Sequence, residues 1–237
     1  MMDNNEQLLK HQEKLMLSVQ EQIWAHKFHD SIRGLKGVNE VSYFIGNWAG
    51  NYTFFYLLSR LMQEFKFERI LELGLGESSK FITTFLNTQQ TPDHVKHDVF
   101  EQNEAFALHF KTKCVLWKNT HIHIIDLIEE DILGYTNKVF NLNSVAINDY
   151  DFYVIDGPIG SPRYSRFDVM KLVKHKVPGS EFVILFDDVN REGEMDTLKY
   201  LMGWFNQQNI EADYHIYSGE KSVAVLTTPK YKWALSY

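Results

Sequence analysis

The sequence predicts an α/β fold: a mostly parallel seven-stranded sheet with an antiparallel last strand, preceded by an N-terminal helical extension. Three observations predict it. Short apolar runs of strand length recur at Ile70–Leu73, Phe152–Ile155 and Phe182–Phe186, and helical patterns alternate with them. Two C-terminal runs, Tyr214–Tyr217 and Ser222–Thr227, are joined by Ser-Gly-Glu-Lys, a hairpin signal. A chain of 237 residues is also long enough for one larger α/β domain with a sizeable core.

Taken in order, Asn4 to about His29 reads as a helix, with Leu8, Leu15, Val19 and Ile23 as its apolar stripe. It belongs to an extension over residues 1–45, ahead of a domain over 46–237. Three roles are open to it: packing on the domain, covering the site, or pairing with a second copy to form a homo-oligomer. Asn47 to about Phe65 opens a second helix, whose Trp48 and Tyr52 either join the core or line a pocket. Ile70, Leu71 and Leu73 then form a buried strand, Gly74 and Gly76 a tight turn, and Ser78 the N-cap of a helix carrying Phe81, Ile82 and Phe85. After a break at Thr91-Pro92-Asp93 come a second strand, Asp98–Glu101, a helix, Glu104–Lys113, and a third strand, His121–Ile125. Residues 129–148 carry the weakest pattern, with a short hairpin expected around Tyr135–Phe140. The strand at Phe152–Ile155 leads through a Gly/Pro loop to a helix from about Asp168. The strand at Phe182–Phe186 precedes a helix over Glu194–Gln207.

Bulk properties narrow the function. The net charge of −7, without a long basic run, argues against nucleic acid as the main partner. Cys114 is the single cysteine, so no internal disulfide forms and a reducing compartment fits. No apolar run reaches membrane-spanning length and no signal-peptide pattern opens the chain, so a cytoplasmic protein with no membrane partner is expected. His121 and His123 alternate on a strand and read as structural.

The chemistry-bearing residues gather at strand ends. A strand, glycine turn and helix N-terminus present amide N–H groups and a positive dipole to a ligand. Glu101 ends the second strand, where a carboxylate can accept from both hydroxyls of a ribose. Asp126 ends the third strand, within reach of an adenine or simply exposed. Asp156 and the pair Asp187–Asp188 end two later strands. One of these three acids can serve as a base, or all three can hold a hard divalent cation such as magnesium. Alternatively, Asp188 caps the following helix and Asp187 meets backbone amides. Arg163 and Arg166 can bind an acidic acceptor, and Tyr164 can stack on a sugar ring. A dinucleotide turn prefers a third glycine where Ser79 stands, which counts against an NAD-dependent oxidoreductase. A non-catalytic binding module is the other alternative.

Assembled in this way, the chain resembles class I S-adenosylmethionine-dependent methyltransferases from about Asn47 onward, in strand order and in acid placement. That resemblance implies a Rossmann-like domain and S-adenosylmethionine as cofactor, with Glu72 holding the methionine ammonium. Gly74, Gly76, Ser78, Glu101 and Asp126 would complete the cofactor site. Gly74-Leu-Gly-Glu-Ser-Ser79, Asp151-Phe-Tyr-Val-Ile-Asp-Gly-Pro158 and Asp187-Asp-Val-Asn-Arg-Glu192 are also similar to motifs of the glucuronoxylan 4-O-methyltransferase family. This second likeness implies O-methylation of a sugar or other small hydroxylated acceptor. Catechol- and caffeoyl-type O-methyltransferases resemble the arrangement of Asp156, Asp187 and Asp188, which in them implies bound magnesium.

Overall fold

Nine strands form in the computed structural model, which describes residues 4–237. They are β1 (Arg69–Leu73), β2 (Lys96–Glu101), β3 (Thr120–Ile124), β4 (Leu127–Ile132), β5 (Tyr135–Phe140), β6 (Phe152–Ile155), β7 (Val183–Phe186), β8 (Asp213–Ser218) and β9 (Ser222–Thr227). Seven of them make one sheet in the order β3-β2-β1-β6-β7-β9-β8, while β4 and β5 pair as a separate hairpin. Only the pairings of β9 with β7 and β8 are antiparallel in the large sheet. The expected architecture is thus the observed one, with the last strand in the chain running against its neighbours.

The order matters for function. The chain builds outward from β1 to β3, then returns on the opposite side of β1 at β6. That reversal opens a crevice at the carboxyl ends of β1 and β6, where open α/β sheets bind ligands. The helices are α1 (Asn4–Ile32), α2 (Tyr52–Glu64), α3 (Glu77–Thr88), α4 (Glu104–Lys113), α5 (Asp168–Val173) and α6 (Glu192–Gln207). Strand alternation sorts the core into two layers. Ile70, Phe152, Val154, Val183 and Leu185 face α1, α2 and α3. Leu71, Leu73, Tyr153, Ile155 and Ile184 face α5, α6 and the small hairpin.

Several elements differ from expectation for identifiable reasons. The apolar stripe of α1 at Leu8, Leu15, Val19 and Ile23 is exposed; the helix packs through Trp24, Phe28 and Ile32 instead. Large aromatics on its C-terminal half outweigh the smaller residues of the stripe, because burial energy scales with apolar area. The second helix starts at Tyr52, since Asn51 caps it by accepting from Phe54 N–H at 3.2 Å. Trp48 stays in the preceding loop. Ser78 is not an N-cap: Gly76 occupies that position, and Ser79 Oγ accepts the Gly76 N–H at 3.0 Å. Among the described residues, no helix is long and apolar enough to cross a membrane.

Candidate functional site

The glycine turn is fixed from both sides. Gly74 has φ +94°, a left-handed conformation that favours glycine, and donates its N–H to Phe100 O at 2.9 Å. A Cβ on Gly74 would lie 3.0 Å from the backbone oxygen of Asp156, and one on Gly157 would lie 2.9 Å from Gly74 Cα. The tips of β1 and β6 therefore pass glycine against glycine. Gly76 differs: its backbone is extended (φ −176°), and a Cβ there would meet nothing within 4 Å. The notch it leaves opens into a cavity beside the first turn of α3, whose leading amides have no acceptors within the helix.

Glu101 ends β2 and is buried. Its two carboxylate oxygens accept from Leu75 N–H at 3.1 Å and Asn103 N–H at 2.7 Å, tying the glycine turn to the next helix. Each oxygen retains accepting capacity, and the residue lines a cavity of about 400 Å³ across the sheet tips. Glu72 sits fully buried on the face toward α3. Its Oε2 meets His97 Nε2 at 3.2 Å, and Oε1 has no hydrogen-bond partner. His97 in turn reaches Thr120 at 3.3 Å, so a polar chain crosses β1, β2 and β3. Ser78 lines the cavity at α3. Asp126 lies exposed at the far edge of the sheet, outside the residues lining either cavity.

Asp156, Asp187 and Asp188 converge, with carboxylate oxygens within 4.8 Å of one another. Asp156 borders both cavities. Arg166 is buried among the three acids: its guanidinium is 2.7 Å from Asp188 and 3.4 Å from Asp156. It also donates to the carbonyls of Ile155 and Asp187. Arg191 and Lys221 reach Asp188 at 3.2 and 3.7 Å, and Glu194 adds a fourth buried acid 3.6 Å from Arg191. Four carboxylates thus face three cations, and one proton would neutralise the cluster. Burial, followed by repulsion from Asp187, pushes the Asp156 carboxyl well above the usual range, against the pull of Arg166. Burial and Asp188 likewise push Asp187 up to about 6. Burial alone would lower Arg166, but the surrounding acids hold its guanidinium above its ordinary value. Arg166 and Asp188 both take left-handed backbone (φ 56° and 63°), the kind of strain that collects at functional sites.

The expected helix-capping role of Asp188 does not occur, since Arg191 holds the N-cap position of α6. Asp188 faces the cations, and neither oxygen of Asp187 has a hydrogen-bond partner. Arg163 points away from the cavities, pairing with Asp196 and stacking over Tyr135 and Tyr164. Tyr164 packs against Phe167 and Tyr200. The structure therefore groups Asp156, Asp187, Asp188, Arg166 and Glu101 at one crevice, and leaves Glu72, Arg163, Tyr164 and Asp126 outside it. Sequence reading did not single out Lys221, Arg191 or Glu194, whose place depends on long-range folding. Phe106 and an exposed Trp48, the latter already a pocket candidate from sequence, border the crevice, and Phe44 borders the cavity beside α3. The Trp-Ala-Gly run at 48–50 was the available signal for a loop tryptophan.

No protein-family model matches the chain, and no curated protein does. Solved structures similar to it include a Podospora anserina methyltransferase bound to S-adenosylhomocysteine. That pair is 12% identical with a TM-score of 0.48, over 96% of this chain and 97% of that one. A human methyltransferase 10 domain containing protein gives 12%, 0.47, 89% and 97%. A precorrin-6y C5,15-methyltransferase from Geobacter metallireducens gives 15%, 0.45, 80% and 94%. At that similarity, function has to be read from this chain's own residues.

Proposed function

We propose that the chain is an S-adenosylmethionine-dependent methyltransferase acting on a hydroxyl of a small acceptor. The observation that carries this reading is the gathering of Glu101, Asp156 and the Asp187–Asp188 pair around one crevice at a two-glycine turn. S-adenosylmethionine fits that cradle on two counts. Gly76 leaves an open notch beside unsatisfied helix-start amides. Glu101 lines the crevice and retains acceptor capacity for ribose hydroxyls. When bound, the cofactor supplies an electrophilic methyl group on a sulfonium.

The residues of the chain then have separate tasks. Asp156 borders both cavities and would accept the proton of the acceptor hydroxyl as that oxygen takes the methyl group. A carboxylate raised above its usual range is better matched to that proton than an ordinary surface acid. Arg166, Arg191 and Lys221 hold the charge of the remaining acids.

Magnesium is a weaker fit. The unpartnered oxygens of Asp187 and Asp188 are hard donors, but Arg166 already lies between Asp156 and Asp188 as a fixed, buried cation. A divalent ion among the three acids would sit against that guanidinium, so no step is assigned to a metal. A sugar acceptor rests on the motif likeness alone, and the substrate-binding roles of Arg163 and Tyr164 have no support from their outward positions. An NAD-dependent role meets the same objection as before, since Ser79 fills the third glycine position with a side chain that braces the turn.

Calorimetry tests the reading directly. S-adenosylmethionine and S-adenosylhomocysteine should both bind the purified chain at one site, and absence of heat with either one refutes it.

A further inference from the structure

A second cavity, of about 660 Å³, runs from the glycine turn along α4, and Gly74, Leu75, Trp48, Phe106 and Asp156 border both it and the crevice. Its volume is in the range that encloses a drug-sized molecule. Its walls are Phe44, Trp48, Phe106 and Phe110. Among the described residues, four Phe or Trp side chains are exposed, and three of them are here: Trp48 at 94%, Phe44 at 77% and Phe106 at 41%. Aromatic surface concentrated at one concave mouth marks a ligand groove rather than scattered surface apolarity.

The wall is built, not loose. Phe44 N–H donates to Glu77 Oε2 at 3.1 Å, and Lys80 reaches both Ser42 O and Glu77, so the loop before α2 is tied to the first turn of α3. Away from Asp156 the character changes. His109 and Lys113 line the cavity along α4, and neither has an ion-pair partner among the described residues. Phe106, at the join, and Lys113 are seven residues apart on the helix, about 10 Å at 1.5 Å per residue. The cavity thus has Asp156 at its reactive end, aromatic walls, the paired Glu77 and Lys80 on α3, and Lys113 with His109 about one fused-ring length beyond Phe106.

We infer that the part of this cavity along α4, beyond the Gly76 notch left to the cofactor, is the acceptor site, and that it takes a flat aromatic alcohol carrying an anionic group at the end remote from its hydroxyl. The ring lies against Trp48 and Phe106, the anion meets Lys113 and His109, and the hydroxyl reaches Asp156. This rests on the methyl-transfer reading above and names its substrate class. It also favours an aromatic acceptor over a sugar, because a sugar would leave most of the aromatic wall uncovered.

The test uses the intact chain saturated with S-adenosylhomocysteine and 6-hydroxy-2-naphthoate as probe, with 2-naphthol and D-glucuronate alongside. Cys114, the single cysteine, lines the same cavity and reports occupancy through its rate of alkylation by iodoacetamide. The naphthoate should bind by calorimetry and slow the alkylation. Trp48→Ala, at a side chain too exposed to support the fold, should weaken it on the order of tenfold through lost ring contact. Lys113→Gln should weaken the naphthoate several-fold and leave 2-naphthol unchanged. The inference is overturned if the naphthoate fails to bind, if either variant binds it as tightly as the wild type, or if glucuronate alone protects Cys114. Failure of S-adenosylhomocysteine to bind would instead refute methyl transfer itself, so the two failures are distinguishable.

Discussion

Alanine at Gly74 and alanine at Gly76 should have opposite consequences, although the glycines are two residues apart in one turn. At Gly74 the positive φ costs an L-residue about 1–2 kcal/mol. The new Cβ would also lie 3.0 Å from the Asp156 backbone oxygen and 3.2 Å from its carbon, atoms that cannot rotate away. Together these give about 3 kcal/mol of destabilisation, or a fall in Tm of roughly 6–12 °C for a chain of this size. At Gly76 the backbone is extended and the space is empty. A poorer N-cap, worth roughly 0.5–1 kcal/mol, is offset by a less flexible unfolded chain, worth about as much. Tm should therefore stay within about 2 °C. The Gly76→Ala methyl nevertheless fills the notch that the cofactor is proposed to enter, so affinity for S-adenosylhomocysteine should drop at least about tenfold. Thermal melts followed by circular dichroism and calorimetric titration read the two effects separately. A Gly74→Ala protein that melts like the wild type would refute the close-approach reading. Undiminished S-adenosylhomocysteine affinity in Gly76→Ala would show that no ligand occupies the notch.

Further outcomes follow from the same geometry. Asp156→Asn should retain S-adenosylhomocysteine affinity while losing at least about a hundredfold in transfer rate, whereas Glu101→Ala should lose affinity; the reverse pattern would exchange their roles. Arg166→Met should cost about 3–5 kcal/mol, because it strands buried acids without their central cation, and millimolar magnesium should raise Tm in this variant but not in the wild type. Saturable magnesium binding by the wild type would contradict the charge assignment. Burial pushes Asp168 up to about 7, so between pH 4 and 7 the folded chain binds more protons than the unfolded one and stability falls as pH rises. About three pKa units correspond to as much as roughly 4 kcal/mol, and that slope should be missing in denaturation curves of Asp168→Asn. Glu21→Gln turns one carboxylate acceptor into a donor facing donors and should destabilise by about 2 kcal/mol; a neutral result would mean that the contacts of Glu21 add nothing to the fold.

Much of the fold was legible because buried parallel strands announce themselves as apolar runs, and all seven strands of the large sheet were placed within a residue or two. The acids at their tips were legible for the same reason, since a strand end fixes where the next side chain emerges. What sequence could not supply was the partner of each charge. Arg166 and Arg163 are three residues apart in one loop, yet one is buried among Asp156 and Asp188 and the other pairs with Asp196 at the surface. Nothing local distinguishes them; the left-handed turn at Arg166 and the arrival of β7 do. The stripe of α1 misled for a related reason. Periodicity shows that a helix has an apolar face, but which face is covered depends on what meets it, and Trp24 and Phe28 find α2.

The N-terminal helix bears on the site through one residue. Glu21 is buried, and its carboxylate accepts from Tyr52 N–H at 2.6 Å, Asn51 Nδ2 at 2.7 Å, Glu220 N–H at 3.1 Å and Thr53 Oγ1 at 3.2 Å. Those donors belong to two segments, the start of α2 and the turn between β8 and β9. Gly219 lets them meet, since a Cβ there would lie 2.2 Å from Glu21 Oε2. From the same turn Lys221 donates to Ala49 O at 3.0 Å and faces Asp188 at 3.7 Å. One carboxylate on α1 therefore braces both the loop that carries Trp48 and the lysine that helps balance the acids. A charge held by four hydrogen bonds is expensive to leave without them, so the helix cannot detach without freeing both walls of the crevice. The helix is thus coupled to the chemistry even though none of its own residues lines either cavity beside Asp156.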